Sequence, residues 1–229
     1  TGVQAQVTVD PAFPTADDNV VITFDASGGN GALAGVSPIY AHTGVITTNS
    51  TTGNDWKYVQ GNWGIADASV LMNAQGGDIH TISFNIRNYY NIPPNEEVLS
   101  MAFVFRNEEG TVVGRSTDGS DIFYPVYTGG FNVSFTVPSD NLLIYEEGDS
   151  IDFTVSASTT CDLTIFHDGS QVATQTADNY TGQVSALPSG NHTLVVNAFD
   201  GNETVSDTIY YAVNPNITPQ DVPGSTKYG

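Results

Sequence analysis

Short runs of alternating apolar and polar residues constrain this chain more than any other feature. The clearest alternating positions are Ile82, Phe84 and Ile86 in HTISFNIRN (80–88), and Met101, Phe103 and Phe105 in VLSMAFVFRN (98–107). Successive side chains of a strand point to opposite faces, so each run has one apolar face to bury. No window carries the i, i+3, i+4, i+7 pattern of an amphipathic helix. The pattern predicts an all-β chain in which these two strands form the centre of a core.

The spacing of the runs predicts two tandem antiparallel β-sandwich domains. Residues 1–128 form short strands joined by long loops, and 129–215 show about seven plainer strands, as in an immunoglobulin-like sandwich. In the second half, HDGSQVA is predicted to be a hairpin with Asp168-Gly169 in its turn. The proline-containing segment 216–229 is expected to be a linker to a C-terminal region outside this chain. The chain starts at Thr1 rather than Met, which favours a processed or excised fragment.

The charge balance excludes several partners. Five Lys and Arg stand against 25 Asp and Glu, which gives a net charge of −20. Such a surface repels phosphate backbones and anionic lipid headgroups, so neither nucleic-acid binding nor membrane binding is expected. No apolar run is long enough for membrane insertion. Cys161 is the only cysteine, so an internal disulfide is excluded, and we expect it to be a small buried side chain.

The sequence carries no strong catalytic or metal-binding motif. No nucleophile elbow occurs, and the four histidines lack metal-ligand spacing. The pairs Glu96-Glu97, Glu108-Glu109 and Glu146-Glu147 could supply a glycosidase's two carboxylates, but solvated turns are the favoured interpretation. TDGSD (117–121) resembles part of a calcium loop, although a turn capped by Asp and Ser side chains is favoured. We therefore predict no catalytic residues, no metal ligands and no cofactor, with structural calcium as the minor alternative.

The stretch DWKYVQGNW (55–63) holds both tryptophans in a polar, glycine-containing segment that is predicted to be a loop. Its aromatic residues either fold back as a lid on the sandwich or form a carbohydrate-binding surface. Sugars present an apolar C–H face and a rim of hydroxyls, and flat rings with polar neighbours suit both. IYAHTG and RNEEG supply further polar and aromatic residues at strand ends. The predicted ligand contacts are Tyr40, His42, Trp56, Lys57, Tyr58, Trp63, Arg106, Asn107 and Glu108.

An alternating strand would place Trp56 and Tyr58 on the same face. We therefore expect Tyr58 to be exposed if Trp56 is exposed in an ordered strand.

The first half resembles the N-terminal sandwich of secreted Bacteroidetes α-amylases of glycoside hydrolase family 13. It is also similar to starch-binding modules of carbohydrate-binding families 25 and 26. The resemblance rests on SPIYAHTGVIT, NDWKYVQGNWG and MAFVFRNEEG, and departs from the pattern where TVVGRS replaces a commonly following Trp. It implies that His42, Trp56 and Trp63 cradle α-glucan, that 129–215 is a spacer, and that a catalytic barrel follows in a secreted or cell-surface enzyme.

Three alternatives remain at this point. The chain could be a standalone surface glycan-binding protein of a polysaccharide-uptake locus, a structural or adhesive immunoglobulin-like tandem, or itself an enzyme. The α-glucan assignment rests on the resemblance, because a flat β-glucan would use the same residue types.

Overall fold

A computed structural model describes residues 6–138 and 143–215. These residues form fifteen strands and two short helices, which confirms the predicted all-β sandwich architecture. The elements of the first half are β1 Val7–Asp10, β2 Asn19–Asp25, β3 Tyr40–Thr47, β4 Lys57–Gln60, a 3-10 helix Ala68–Val70, β5 Asn73–Gly76, β6 Ile79–Asn85, α1 Ile86–Tyr90, β7 Val98–Arg106, β8 Val113–Gly114 and β9 Ile122–Pro125. Those of the second half are β10 Val133–Val137, β11 Ile144–Tyr145, β12 Ser150–His167, β13 Ser170–Ser185, β14 Gly190–Phe199 and β15 Thr204–Val213.

The first sandwich packs two antiparallel sheets face to face. One has the strand order β1-β2-β6-β5, and the other has the order β4-β3-β7-β8, with β9 also pairing with β7. Met101, Phe103 and Phe105 of β7 are fully buried, and the Phe105 ring stacks on Phe24 of β2 with centroids 3.8 Å apart. The central strands β6 and β7 lie in opposite sheets, one on each side of the core. Burying each such ring stabilises the fold by about 1.5–3 kcal/mol.

The predicted strand at 80–88 is wrong beyond Asn85, where the chain turns into the helix α1. The Asn85 side chain caps this helix by accepting a hydrogen bond from the Asn88 N–H, and Asn91 ends it in the left-handed conformation. Tyr90 therefore lies on a helical turn, where its hydroxyl bonds Thr43 Oγ1 at 2.5 Å inside the core. A five-residue helix is too short to leave a periodic signal in the sequence.

Two long strands organise the second sandwich. The sheet order is β10-β12-β14-β15-β11, with β13 on the other edge of β12. The runs DSIDFTVSAS and CDLTIFH, predicted as separate strands, form the single strand β12. Its first half pairs with β10 and its second half with β14, and the register shifts between Ser156 and Cys161. One pairing departs from the predicted antiparallel pattern, because β11 runs parallel to β15.

One smaller prediction for this half is confirmed. Cys161 is a buried residue of the core cluster. Tyr211 is buried whereas its neighbour Tyr210 is 74% exposed, as strand alternation requires.

The buried apolar residues divide along the chain. One large cluster contains residues between Val7 and Val126, and the other clusters contain residues between Val133 and Val213. The boundary at 128/129 remains a prediction, and the predicted linker 216–229 lies outside the described residues. Among the described helices, none has the length and apolar character needed to cross a membrane.

The turn between β12 and β13 has the predicted type I′ geometry. Asp168 and Gly169 both have positive φ, 45° and 76°. The Asp168 carboxylate accepts a hydrogen bond from the Thr193 N–H and lies 2.7 Å from His192 Nδ1, while His192 Nε2 lies 2.7 Å from the Pro188 carbonyl oxygen. Both ring nitrogens face acceptors, so the imidazole is best satisfied when it is protonated.

This arrangement predicts a pH-dependent contribution to stability. The hydrogen bond to Asp168 raises the pKa of His192 above 6.5, and the same contact lowers the pKa of Asp168 below 3.8. The His192 contribution is present below pH 6.5 and is lost as the pH rises through the raised pKa. We expect His192→Gln to lower the Tm by about 2–4 °C near pH 5 and by much less near pH 8.5. Thermal unfolding of both proteins at the two pH values tests this, and an equal loss at both would contradict it.

Candidate functional site

Four aromatic rings lie side by side on the outer face of the β4-β3-β7-β9 sheet. The His42 ring centroid lies 5.4 Å from that of Trp63 and 5.9 Å from that of Trp56, and the Trp56 centroid lies 6.3 Å from that of Phe123. We call these four residues the aromatic row. Trp63 is 46% exposed and Phe123 is 39% exposed, whereas His42 and Trp56 are half-buried. The structure thus brings together the three residues His42, Trp56 and Trp63 that the resemblance singles out.

Strand register explains why these side chains share a face. His42 and Gly44 of β3 pair with Val104 and Ala102 of β7, and Ala102 in turn pairs with Phe123 of β9. Directly paired residues of an antiparallel sheet point to the same side. The residues paired beneath the row are Gly44, Ala102 and Val104, which have small or β-branched side chains.

Gly44 allows the close approach of β4 to this face. A Cβ atom there would lie 2.9 Å from the Lys57 carbonyl oxygen and 3.4 Å from Trp56 Cβ. Any larger residue would push the Trp56 segment away from the sheet.

A β-bulge separates the two aromatic residues that alternation would place together. Thr43 pairs with Gln60 and Val45 pairs with Lys57. Between these pairs, the single residue Gly44 of β3 lies opposite two residues of β4, Tyr58 and Val59. Tyr58 adopts a positive φ of 53° within this bulge and packs against the core, while Trp56 joins the row outside.

The bulge therefore breaks the alternation from Trp56 to Tyr58. Trp56 is half-buried and precedes β4, so the condition of the expectation about the two rings is not met. The assignment of the whole stretch to a loop is wrong, because residues 57–60 form β4. The ligand contact of Tyr58 stays a prediction, although its hydroxyl is bonded to Glu96.

Glu96 fixes the inward position of Tyr58. Its carboxylate is buried and accepts hydrogen bonds of 2.5 Å from Thr47 Oγ1 and from the Tyr58 hydroxyl. These bonds lower the pKa of Glu96 and raise that of Tyr58. The solvated-turn interpretation is thus wrong for Glu96, which links β3, β4 and the segment before β7. Nothing in the Glu96-Glu97 pair distinguishes it in sequence from an exposed turn.

Arg106 is fully buried at the end of β7 and holds two loops together. Its Nη2 donates to the Asn62 and Ile65 carbonyls at 2.9 and 2.8 Å, and its Nη1 donates to the Asn107 and Glu108 carbonyls at 3.0 and 2.8 Å. The predicted direct contact of Arg106 with a ligand is therefore wrong. The side chain instead positions the loop that carries Trp63.

The Arg106 guanidinium carbon also lies between two rings, 5.2 Å from the Tyr40 centroid and 6.0 Å from the Trp63 centroid. Tyr40 is buried at this position, which corrects its predicted role as a ligand contact. Burial lowers the pKa of Arg106 below its usual value, because desolvation disfavours the charged form.

The turn after Arg106 packs against the Trp63 indole. A Cβ atom on Gly110, where φ is +70°, would lie 2.6 Å from Trp63 Nε1. Gly110 therefore lets the turn lie close to the ring edge, and almost half of the ring surface remains exposed.

Asn107 organises the same turn from within. Its Oδ1 accepts hydrogen bonds from the Thr111 and Val112 N–H groups, and its Nδ2 donates to Glu109 and Thr111. The amide oxygen and nitrogen thus both have partners within the turn, and the ligand contact of Asn107 stays a prediction.

Three further predicted polar contacts remain candidates. His42 Nδ1 donates to the Gly61 carbonyl oxygen at 2.7 Å, so Nε2 is the acceptor of a neutral ring. Lys57 Nζ lies 2.8 Å from the Asp55 carboxylate, whose pKa this contact helps to lower to about 2. Glu108 is exposed beside the Arg106-bound carbonyls.

Phe123 is the member of the row that sequence reasoning missed. It lies in DIFYPVY, a predicted strand, but only the pairing of β9 with β7 reveals that its ring meets Trp56.

The TDGSD segment forms a capped turn, as favoured. Asp118 Oδ1 accepts a hydrogen bond from the Ser120 N–H at 2.9 Å, and Asp121 forms an ion pair with Arg115. Within residues 6–138 and 143–215, no group of three or more His, Cys, Asp or Glu side chains is placed to hold a metal ion. The calcium alternative gains no support from this geometry.

Comparison with known families places three of the four residues of the row inside a matched region. A family model described as a domain of unknown function (DUF8578) matches residues 7–113, which include His42, Trp56 and Trp63. No curated protein sequence matches the chain.

Solved structures show remote similarity only. The fibronectin(III)-like modules of Clostridium thermocellum CbhA are 20% identical over 37% of this chain and 98% of theirs, with a TM-score of 0.31. The endo-β-1,4-mannanase from Thermotoga petrophila is 14% identical over 39% of this chain and 21% of its own, also with a TM-score of 0.31. A chimeric titin Z1Z2 is 13% identical over 93% of this chain and 96% of its own, with a TM-score of 0.29. At such scores none of these similarities indicates a function.

The Arg106 contacts predict a specific effect on Trp63. In a Trp56→Phe background, Trp63 is the only tryptophan of the chain and reports on its own loop. We expect Arg106→Met to destabilise the protein by about 1–3 kcal/mol, because buried carbonyls lose their donors. We also expect Trp63 emission to shift to longer wavelength and become more accessible to acrylamide. Arg115→Met, which removes only a partly exposed ion pair, is the matched control. Unchanged Trp63 emission in Arg106→Met would contradict the positioning role.

Proposed function

We propose that this chain is a non-catalytic α-glucan-binding part of a secreted polysaccharide-degrading enzyme, and that the aromatic row is its binding surface. The observation that carries the proposal is the row itself, four neighbouring rings on one sheet face with Trp63 and Phe123 exposed. Aromatic faces provide apolar area for sugar C–H groups, and neighbouring polar groups bind the hydroxyls. His42 Nε2 and Lys57 remain the predicted candidates for that polar role.

The tilt of the rings supports a curved rather than a flat glycan. The His42 and Trp56 planes differ by 29°, whereas the Trp63 plane stands at 84° to His42 and the Phe123 plane at 81° to Trp56. A flat β-glucan would suit coplanar rings. A helical α-glucan turns its sugar faces from one residue to the next and suits inclined rings, in agreement with the resemblance to starch-binding modules.

Binding at one such site is expected to be weak, with a Kd of about 10–1000 μM. Sugar hydroxyls exchange water hydrogen bonds for protein ones at small net gain. The function of a weak site would be to raise the local concentration of substrate around a tethered catalytic domain.

The lid interpretation of the tryptophans is partly compatible with this proposal. Trp56 is half-buried and lies close to Gly44, so it covers the sheet as well as contributing a ring edge. Trp63 is more exposed and is fixed from one side by Arg106 and Gly110, so it is expected to provide most of the stacking energy.

Retention on insoluble starch and affinity electrophoresis in glycogen gels test the proposal. We expect Trp63→Ala to weaken binding about tenfold, which corresponds to ~1.4 kcal/mol, a typical value for an aromatic contact. Trp56→Ala is expected to weaken binding and also to lower the Tm, because it removes packing on the sheet. Tyr210→Ala, at a highly exposed ring of the second sandwich, is the matched control and should bind like the unaltered chain.

Two outcomes would contradict the proposal at different levels. If the unaltered chain is not retained by starch, glycogen or a related α-glucan, the binding function fails and a structural or adhesive tandem takes its place. If the chain binds but Trp63→Ala binds equally well, the assignment of the site fails. Release of reducing sugar by the chain would show instead that it is an enzyme.

A further inference from the structure

A cleft of about 400 Å³ lies between the first sandwich and β10 of the second. Its walls come from the edge strands β1 and β9 and from the segment after Val133. Its sixteen described lining residues include Thr8 of β1, Phe123 and Pro125 of β9, and Phe135 and Thr136 of β10. A volume of this size is within the usual range of small-ligand sites, roughly 300–1,000 Å³.

We propose that the glycan site continues from the aromatic row past Phe123 into this cleft, so that both sandwiches bind one α-glucan chain. This inference rests on the proposed function and adds the path and the minimum length of the ligand. Phe123 connects the two regions, because its ring neighbours Trp56 in the row and also lines the cleft. A chain that stacks on the row therefore reaches the cleft without crossing another surface.

The described residues that line the cleft are uncharged although the chain is strongly acidic, and the nearby Asp207 carboxylate is engaged by the N–H of the lining residue Phe135 at 2.8 Å. None of the sixteen lining residues is Asp, Glu, Lys, Arg or His, whereas the whole chain has a net charge of −20. A charged ligand would find no ionic partner on these walls, and burying a charge without one is costly. The lining instead combines aromatic rings with the hydroxyls of Ser and Thr. That combination fits a neutral polyhydroxyl chain.

The free strand edges supply further hydrogen-bonding groups. The Asp25 N–H donates to the Gln6 carbonyl, so the alternating ladder turns the backbone groups of Val7 and Val9 away from β2. In the same way, the Val126 N–H donates to the Leu99 carbonyl, which turns the backbone groups of Phe123 away from β7. Backbone donors and acceptors at such an edge can bind sugar hydroxyls.

The same edges are poorly suited to an added peptide strand. β1 and β9 are each four residues long, and Pro125 has no N–H to donate from the free edge of β9. Pro11 follows β1 directly and ends its pairing surface. A glycan, which needs no continuous ladder of donors and acceptors, is therefore the better match.

Calorimetric titration of the full chain with maltotriose and maltoheptaose tests the inference. We expect the unaltered chain to bind maltoheptaose about tenfold more tightly than maltotriose, because only the longer chain reaches from the row into the cleft. Thr136→Arg places a long side chain in the cleft from the second sandwich. It should abolish this preference while leaving the Kd for maltotriose unchanged.

The matched control is Thr174→Arg, at an exposed threonine of the second sandwich outside the cleft lining, and it should retain the preference. A second pair of variants keeps the test valid if Thr136→Arg fails to fold. Thr8→Arg fills the cleft from β1, and Thr23→Arg alters its cross-strand partner on β2, which does not line the cleft.

The outcomes separate the inference from the proposed function. Binding of neither oligosaccharide overturns the proposed function, and this inference with it. Equal affinity for both lengths, or a length preference that survives both Thr136→Arg and Thr8→Arg, overturns the cleft path and leaves the row standing.

Discussion

The hydrogen bonds of the buried Arg106 guanidinium determine the shape of the candidate site. Four backbone carbonyls from two different loops converge on its two terminal nitrogens. Burying a cation is costly unless it is hydrogen-bonded, and these four bonds offset much of that cost, although the buried Nε has no partner. The loops and the side chain thus stabilise each other. The planar fork of arginine can reach two loops at once, which the single ammonium of a lysine cannot do with the same geometry. The consequence is a fixed Trp63 ring above the end of β7.

The bulge in β4 determines the position of the other tryptophan of the row, Trp56. It turns Tyr58 inward to the buried Glu96 and leaves Trp56 on the outer face next to His42. Without the extra residue, the two aromatic side chains would lie on one face and the tyrosine would lose its place in the core. Buried polar side chains thus position both tryptophans, Arg106 for Trp63 and Glu96, through Tyr58, for Trp56. Because the rings are already held in place, a ligand that binds them would cost little side-chain entropy.

The sequence predicts the parts of this structure that depend on simple periodicity. Met101, Phe103 and Phe105 alternate and are buried, and Asp168-Gly169 forms the expected hairpin turn. Periodicity fails where one residue breaks the register, as at Tyr58, or where a short helix follows a strand, as after Asn85. It also cannot tell whether a charged residue at a strand end faces solvent. Arg106 is buried because two loops supply carbonyls, and those loops come together only in the folded chain. Phe123 was missed because its partner Trp56 is distant in sequence.

The central claim is that the row's rings contact glycan directly, and the two indole N–H groups test it most directly. The chain has only two tryptophans, so an ¹⁵N-labelled sample gives two indole signals, assigned by Trp56→Phe and Trp63→Phe. Titration with maltoheptaose should shift both signals saturably along one binding curve, with the larger change at Trp63. The claim is contradicted if neither indole signal moves while backbone signals elsewhere report binding, or if no signal in the spectrum responds to the glycan.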